Sequence, residues 1–350
     1  MNIGVIGMGT CIPEQEISNA EVARSAGVTE EWIVRVTGIS SRYRCGPDEA
    51  ASDLGVKALS GCLGASGISP GLLDLIVVAT STPDEIGPAT ACRIQERLGA
   101  HSAVAFDMNA ACSGWLFGAS AVQGWFATHP DARYAAVVTV DVYTKFLDMS
   151  DRSTAVLFSD GCVATLFSRV TTGGIEDIRL HSNGKIADSI LIPAGGSRTP
   201  VTPGSDHWQR IHMDGRAIRD FAYDVFPSTI QEILEGNGLT LDDIDLVVAH
   251  QPNPVLLRQL AERALIPPAK LIVAGDSVGN IGCACTPFAL AAAASRKGIQ
   301  EGSLLLLVAF GAGMTWGGSL LRWSGAPVVH HGDQSGRRWD SLPTGVCGER

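Results

Sequence analysis

Two kinds of segment alternate along the chain. Short apolar runs of strand length read LDLIVVAT (73–80), AVAFDM (103–108), YAAVVTVD (134–141), AVLFSDG (155–161), IDLVVAH (244–250), AKLIVAG (269–275) and SLLLLVAFG (303–311). Between them, apolar positions recur at the helical period over 51–65, 88–98, 113–127, 216–236, 254–265 and 286–298. This alternation predicts an α/β fold.

The pattern also repeats. GISPGLLDLIVVA, from Gly67 to Ala79, resembles GLTLDDIDLVVAH, from Gly238 to His250. The Asp-Leu pairs Asp74-Leu75 and Asp245-Leu246 mark matching strand starts. The same offset carries Asn109 onto Asn280 and Cys112 onto Cys283, each followed by an alanine-rich helix, 116–122 and 288–295. Two similar halves fused in one chain explain a constant offset better than chance likeness of αβ segments. The expected boundary is 1–175 and 176–323, near the polar stretch TTGGIEDIRLHSNG, with 324–350 as a Gly-, Ser- and Pro-rich flexible tail.

Composition narrows the partners. With 350 residues, 45% hydrophobic and 18% charged, the chain supports a large core rather than disorder. A net charge of −10 opposes general binding of nucleic acid, which needs a basic surface. MNIGVIGMGT lacks the charged and apolar regions of a signal peptide, and no run of about 18 apolar residues predicts a membrane span. Nine cysteines, an odd number without a small-domain framework, fit a reduced cytoplasmic protein. Cys283 and Cys285 form a CxC with no further ligands at zinc spacing, so they read as packing residues and no metal is expected.

One cysteine stands apart. In FDMNAACSGWLFG (106–118), Cys112 falls between a strand end and a helix start. Unpaired amides at a helix start favour negative charge, so a thiol there tends toward thiolate, the nucleophilic form. Ser113 and Gly114 would keep the turn slim for a substrate. A buried structural thiol fits the position equally well. Thiolate nucleophiles commonly work with a histidine, and His250 ends the strand IDLVVAH before the turn HQPNP. Taken alone, His250 reads as a turn histidine and Asn280, between glycine-bearing segments, as a turn residue.

Together the motifs point further. EEWIVRVTGI (30–39), AACSG (110–114), DR (151–152), SDG (159–161), HQPN (250–253), GN (279–280) and FGAGMTWG (310–317) occur in the order found in β-ketoacyl-acyl carrier protein synthase III. The chain resembles that family, one of the thiolase-like condensing enzymes, from Ile3 to about Trp323. The resemblance implies a five-layered αβαβα thiolase-like fold of two pseudo-repeated halves, and a homodimer. It implies that Cys112 takes an acyl group from a coenzyme A or carrier-protein thioester, with no permanently bound cofactor. His250 and Asn280 would then stabilise the enolate formed when a malonyl thioester loses carbon dioxide. The backbone N–H groups of Cys112 and Ala312 would form a second oxyanion site. Trp32, which also fits as a packing tryptophan, would stack on the coenzyme A adenine. Arg152 would meet phosphates and Asn253 the pantetheine arm, although each also fits a bland surface or capping role.

The chain departs from the family where carriers and acyl groups are recognised. Val36 replaces an arginine beside Arg35. Basic positions of the carrier-docking surface fall at Val255, Glu262-Arg263 and Asp220, so any acyl carrier protein would dock atypically. By resemblance, Gly87 stands where a family phenylalanine closes the acyl pocket, which predicts room for a larger or different acyl group. The leading expectation is a decarboxylating ketosynthase of fatty-acid initiation or specialised polyketide synthesis. The alternative is an acyltransferase on the same fold, moving the Cys112 acyl group to an alcohol or amine with His250 as general base.

Overall fold

The computed structural model describes residues 2–205, 209–295 and 299–331. The first half runs β1 (Asn2–Cys11), β2 (Gln15–Ser18), α1 (Asn19–Ala26), α2 (Glu30–Thr37), β3 (Ser41–Arg44), α3 (Ala51–Ser66), β4 (Leu75–Ala79), α4 (Thr90–Leu98), β5 (Val104–Met108), α5 (Gly114–Thr128), β6 (Ala135–Val142) and β7 (Asp160–Val170). The second half runs β8 (Gly174–Ser182), β9 (Ile190–Leu191), β10 (His212–Met213), α6 (Gly215–Gly236), β11 (Leu246–Ala249), α7 (Pro254–Arg263), α8 (Cys285–Ser295), β12 (Leu304–Gly311) and β13 (Thr315–Arg322), followed by β14 (Val328–His331).

The apolar runs of β4, β6 and β12 are strands buried on both faces. In β4, Ile76 and Val78 face one helical layer while Val77 faces another; β12 divides Leu306 and Val308 from Leu305 and Leu307 in the same way. Both faces must therefore be apolar, which explains why these strands do not alternate with polar residues. Leu54, Leu59 and Ile94 bring α3 and α4 onto the outer face of the first sheet. Leu116, Phe126, Phe288 and Leu290 put α5 and α8 between the two sheets. Phe226, Ile233, Leu257 and Leu260 cover the far face of the second sheet with α6 and α7. The result is the αβαβα order.

The sheets repeat one another. The first has the order β14-β1-β7-β6-β4-β5 and the second β11-β12-β13-β8. In both, a parallel pair (β4 with β6, β11 with β12) is followed by two antiparallel pairings. The chain passes from the first sheet to the second at 171–173, between β7 and β8.

Several segments differ from the sequence reading. AKLIVAG makes one parallel bridge, Val247 to Leu271, instead of a strand. The Gln251 side chain takes the amides of Ala274 and Gly275 at 3.0 and 3.2 Å, so those amides do not face a strand partner. In AVLFSDG the strand starts only at Asp160, because 151–158 folds into turns anchored by Asp151. α1 and α2 lie outside the expected helices; Ser18 and Thr29 cap their starts, and Gly27 and Gly38 end them. The helix expected to reach 298 is described to Ser295, and 296–298 lie outside the described residues.

The expected flexible tail is ordered over its first part. Val328–His331 pairs in parallel with Met8–Cys11. The His330 ring bridges Thr10 Oγ1 at 2.9 Å and Ser295 Oγ at 2.7 Å. Two β-branched residues and this bridge outweigh the glycine and proline around them. The remainder, 332–350, lies outside the described residues.

Candidate active site

Each half enters a helix through the same tight turn. After β5, Asn109 Oδ1 accepts the Ala111 N–H at 3.1 Å, and Ala111 adopts a left-handed φ of 45°. The 3-10 turn Ala111–Ser113 then delivers Cys112 to the start of α5. In the second half, Asn280 Oδ1 accepts the Gly282 N–H at 3.0 Å, and Gly282–Ala284 leads into α8. There Gly282, with a φ of 63°, takes the left-handed position that Ala111 holds at a steric cost.

The turn around Cys112 is stapled across the molecule. Ser113 Oγ donates to the Thr315 carbonyl at 3.0 Å, and Thr315 Oγ1 donates to the Ala110 carbonyl at 2.8 Å. Sequence reasoning missed Thr315, although it lies inside FGAGMTWG. It also assigned Ser113 and Gly114 to substrate clearance. Ser113 is instead buried in the staple, and a β-carbon on Gly114 would meet that of Ala79 at 2.9 Å. Gly114 is slim so that the start of α5 can pack against β4 and, across the halves, against Cys283, whose β-carbon would lie 3.2 Å away.

His250 follows β11. Its N–H donates to the Val308 carbonyl at 2.8 Å, and its ring stands edge-on to Phe310, 88° between planes and 5.2 Å between centroids. Asn280 is pinned by backbone bonds to Leu157 and Ser159, both 2.9 Å. Its Oδ1 is already accepting, which leaves Nδ2 as the donor end. A cavity of about 140 Å³ is lined by Cys112, His250 and Asn280 together with Asn253, Phe310 and Ala312. A second cavity of about 480 Å³ shares Cys112 and Ala312 and extends past Phe158 to Ser81, Tyr143 and Ile211. The turns thus bring the expected trio to one wall.

The outer residues divide. Trp32, Arg35 and Arg152 line an open depression of about 380 Å³, with the Arg152 guanidinium carbon 5.9 Å from the Trp32 ring centroid. Asn253 both caps α7, accepting the Leu256 N–H at 2.8 Å, and lines the inner cavity. Gly87 is in an exposed loop and lines neither inner cavity. Asp220 is engaged by Arg219 at 3.0 Å, and Glu262 is exposed. Among the described residues, no group of three or more His, Cys, Asp or Glu is placed to hold a metal ion.

Comparison with known proteins assigns the chain. Residues 106–184 match the family model 3-oxoacyl-[acyl-carrier-protein (ACP)] synthase III, and residues 234–323 match that of its C-terminal part. The β-ketoacyl-[acyl-carrier-protein] synthase III of Symbiobacterium thermophilum is 37% identical over 326 residues, 92% of this chain and 98% of that protein. The chain belongs to the 3-oxoacyl-[acyl-carrier-protein] synthase III family. The acetoacetyl CoA synthase NphT7 of Streptomyces sp. strain CL190 is 40% identical over 324 residues, 91% of this chain and 98% of that protein. The priming β-ketosynthase of the R1128 polyketide biosynthetic pathway superposes with a TM-score of 0.86 at 31% identity, covering 93% of this chain and 97% of its own. The fold is the thiolase-like one.

Electrostatics in this synthase III family member correct one expectation. Burial pushes the Cys112 thiol well up, and Cys285 and Asp141 add to the effect. A helix dipole opposes this by at most about 2 kcal/mol, roughly 1.5 pKa units. Desolvation thus favours the protonated thiol at the resting Cys112 position. Burial also lowers His250 to about 3, which makes it a neutral imidazole, and its Nδ1 is enclosed without a hydrogen-bond partner among the described residues. The pseudo-equivalent Cys283 is fully buried: its Sγ donates to the Ala79 carbonyl at 3.0 Å, and its N–H meets Asp141 Oδ2 at 2.9 Å.

Proposed function

We propose that this chain is a β-ketoacyl synthase that joins an acyl group to a malonyl-type thioester by decarboxylative Claisen condensation, in fatty-acid initiation or specialised polyketide synthesis. The observation that carries the reading is the convergence of Cys112, His250 and Asn280 on one small cavity in a member of this family.

Cys112 Sγ attacks the thioester carbonyl, and the bond to the departing sulfur breaks. The proton lost by Cys112 leaves with the free thiol. The N–H groups of Cys112 and Ala312 receive the transient oxyanion. A malonyl thioester then loses carbon dioxide, and the electron pair of the broken bond delocalises onto the thioester oxygen. Asn280 Nδ2 and the neutral His250 ring donate to that oxygen. The resulting carbanion attacks the acyl carbonyl on Cys112, releasing a β-ketoacyl thioester; one proton taken from solution restores the thiol. The reaction calls for no resident cofactor, because the decarboxylating bond supplies the electrons.

Trp32 stacks the adenine of coenzyme A while Arg35 and Arg152 face its phosphates, and Asn253 borders the pantetheine arm. The depression that holds Trp32 with two arginines supports this placement. An acyl carrier protein, where it serves, docks atypically beside Asp220 and Glu262. The chain works as a cytoplasmic homodimer, its partner meeting the edge strand β5. Exposed Val104 and Phe106 on β5 support that contact.

Intact-protein mass spectrometry with a panel of acyl-coenzyme A thioesters tests the reading. Wild type is expected to gain one acyl mass that Cys112→Ala does not. A malonyl thioester should then discharge it with carbon dioxide and a β-keto product. Discharge to an alcohol or amine without carbon dioxide would overturn condensation in favour of acyl transfer.

A further inference from the structure

Cys285 opens α8 one turn beyond Asn280. Its Sγ lies 3.3 Å from Asn280 Oδ1 and 3.6 Å from the Gln251 carbonyl oxygen. These acceptors belong to the two segments that carry the assigned enolate donors: Asn280 itself, and the residue following His250. The thiol is buried, 1% exposed, and lines neither cavity that meets Cys112. It therefore touches no substrate in either cavity.

The Asn280 amide has two ends of similar shape, and only one can donate to a developing oxyanion. Gly282 N–H holds Oδ1 at 3.0 Å. The Cys285 thiol adds a second donor to the same oxygen, nearer to it than to the Gln251 carbonyl. A flipped amide would set Nδ2, itself a donor, against Gly282 N–H and the thiol together. Burial pushes the Cys285 pKa to about 12, so the proton stays on sulfur at working pH.

We infer that Cys285 is a positioning residue for condensation, its S–H locking the Asn280 amide with Nδ2 turned to the cavity. The inference rests on the proposed function and extends it beyond the Cys112, His250 and Asn280 trio.

Loading and condensation are measured separately, loading by the acyl mass on Cys112 and condensation by discharge of preloaded enzyme with a malonyl thioester. A wild type that neither loads nor releases carbon dioxide overturns the proposed function, and the positioning role with it. Given an active wild type, Cys285→Ala is expected to load normally and condense about tenfold more slowly. Cys285→Ser, which keeps a donor, is expected to restore condensation to within about threefold. In an Asn280→Ala background, Cys285→Ala should change nothing further, because its target is gone. Equal slowing of loading and condensation, failure of the serine variant, or an undiminished effect without Asn280 would each overturn the role. Should the alanine variant not fold, the serine variant still decides: slow condensation with intact loading contradicts a donor role.

Discussion

Gly311 lies so close to Cys112 that a β-carbon built on it would stand 2.5 Å from the Cys112 amide nitrogen. That nitrogen is backbone and cannot swing aside, so any side chain here pushes the nucleophile's turn. Gly311→Ala is expected to lower stability by about 1–3 kcal/mol as an overpacked contact. Acyl loading should fall by about 100-fold, the scale of a misplaced reacting group. Thermal melts alongside loading rates check this; an unchanged loading rate would show that the turn can yield without losing alignment.

On the proposed mechanism, Asn280→Ala removes one donor to the enolate while leaving Cys112 in place. Condensation of preloaded enzyme should drop by about 100- to 1,000-fold, and loading by no more than about threefold. Equal losses in the two steps would assign Asn280 to structure.

His250 is held neutral by burial, its pKa lowered from 6.5 to about 3. The condensation rate of preloaded enzyme should therefore show no imidazole inflection around pH 6.5. Stability follows with a definite sign. Between the two values the unfolded chain binds the proton and the native state does not, so the contribution is complete above 6.5 and is lost as pH falls toward 3. Urea midpoints should thus fall less steeply with acid for His250→Asn than for wild type. Identical slopes would mean that the native imidazole protonates freely.

The resting thiol at Cys112 gives a third titration. Burial raises its pKa, so alkylation by iodoacetamide, followed on the Cys112 peptide, should keep accelerating past about pH 9. A plateau near neutrality would reveal a thiolate and reverse the balance between desolvation and the α5 dipole.

Trp32→Ala is expected to raise the KM for an acyl-coenzyme A by about tenfold with kcat little changed, since stacking binds ground and transition states alike. A pantetheine thioester lacking the nucleotide should be indifferent to the change. If both thioesters suffer equally, Trp32 is a packing residue of α2.

Much of this arrangement can be read along the chain, and the reasons for the rest are local. The constant offset from Asn109 and Cys112 to Asn280 and Cys283 corresponds to two matching turns, because the same asparagine-to-amide bond builds both. Periodicity located helices such as α3 and α6, whose buried faces are regular. It failed where side chains outcompete backbone pairing. Gln251 diverts the amides of AKLIVAG, and Asp151 winds up the start of AVLFSDG. Composition misjudged Val328–His331, because an edge strand depends on an open neighbour, here β1, that sequence does not display. The Cys112 thiol was misjudged for a related reason: helix position is visible in sequence, whereas the depth of burial that governs its proton is not. Cys285 passed as filler since its target lies five residues away across a turn.

The duplicated architecture offers two helix starts, yet they are not equivalent receivers of negative charge. The penultimate residue of β6 is Asp141, whose carboxyl oxygen already takes the Cys283 N–H. Registered on the parallel partner strands β4 and β11, the matching position of β12 is Gly311, which has no side chain to offer the Cys112 turn. One helix start is therefore met from within by the protein's own acid, and the other is not. A single carboxyl group in one half thus breaks the symmetry, and on the proposed function it leaves each chain with one acylation centre rather than two.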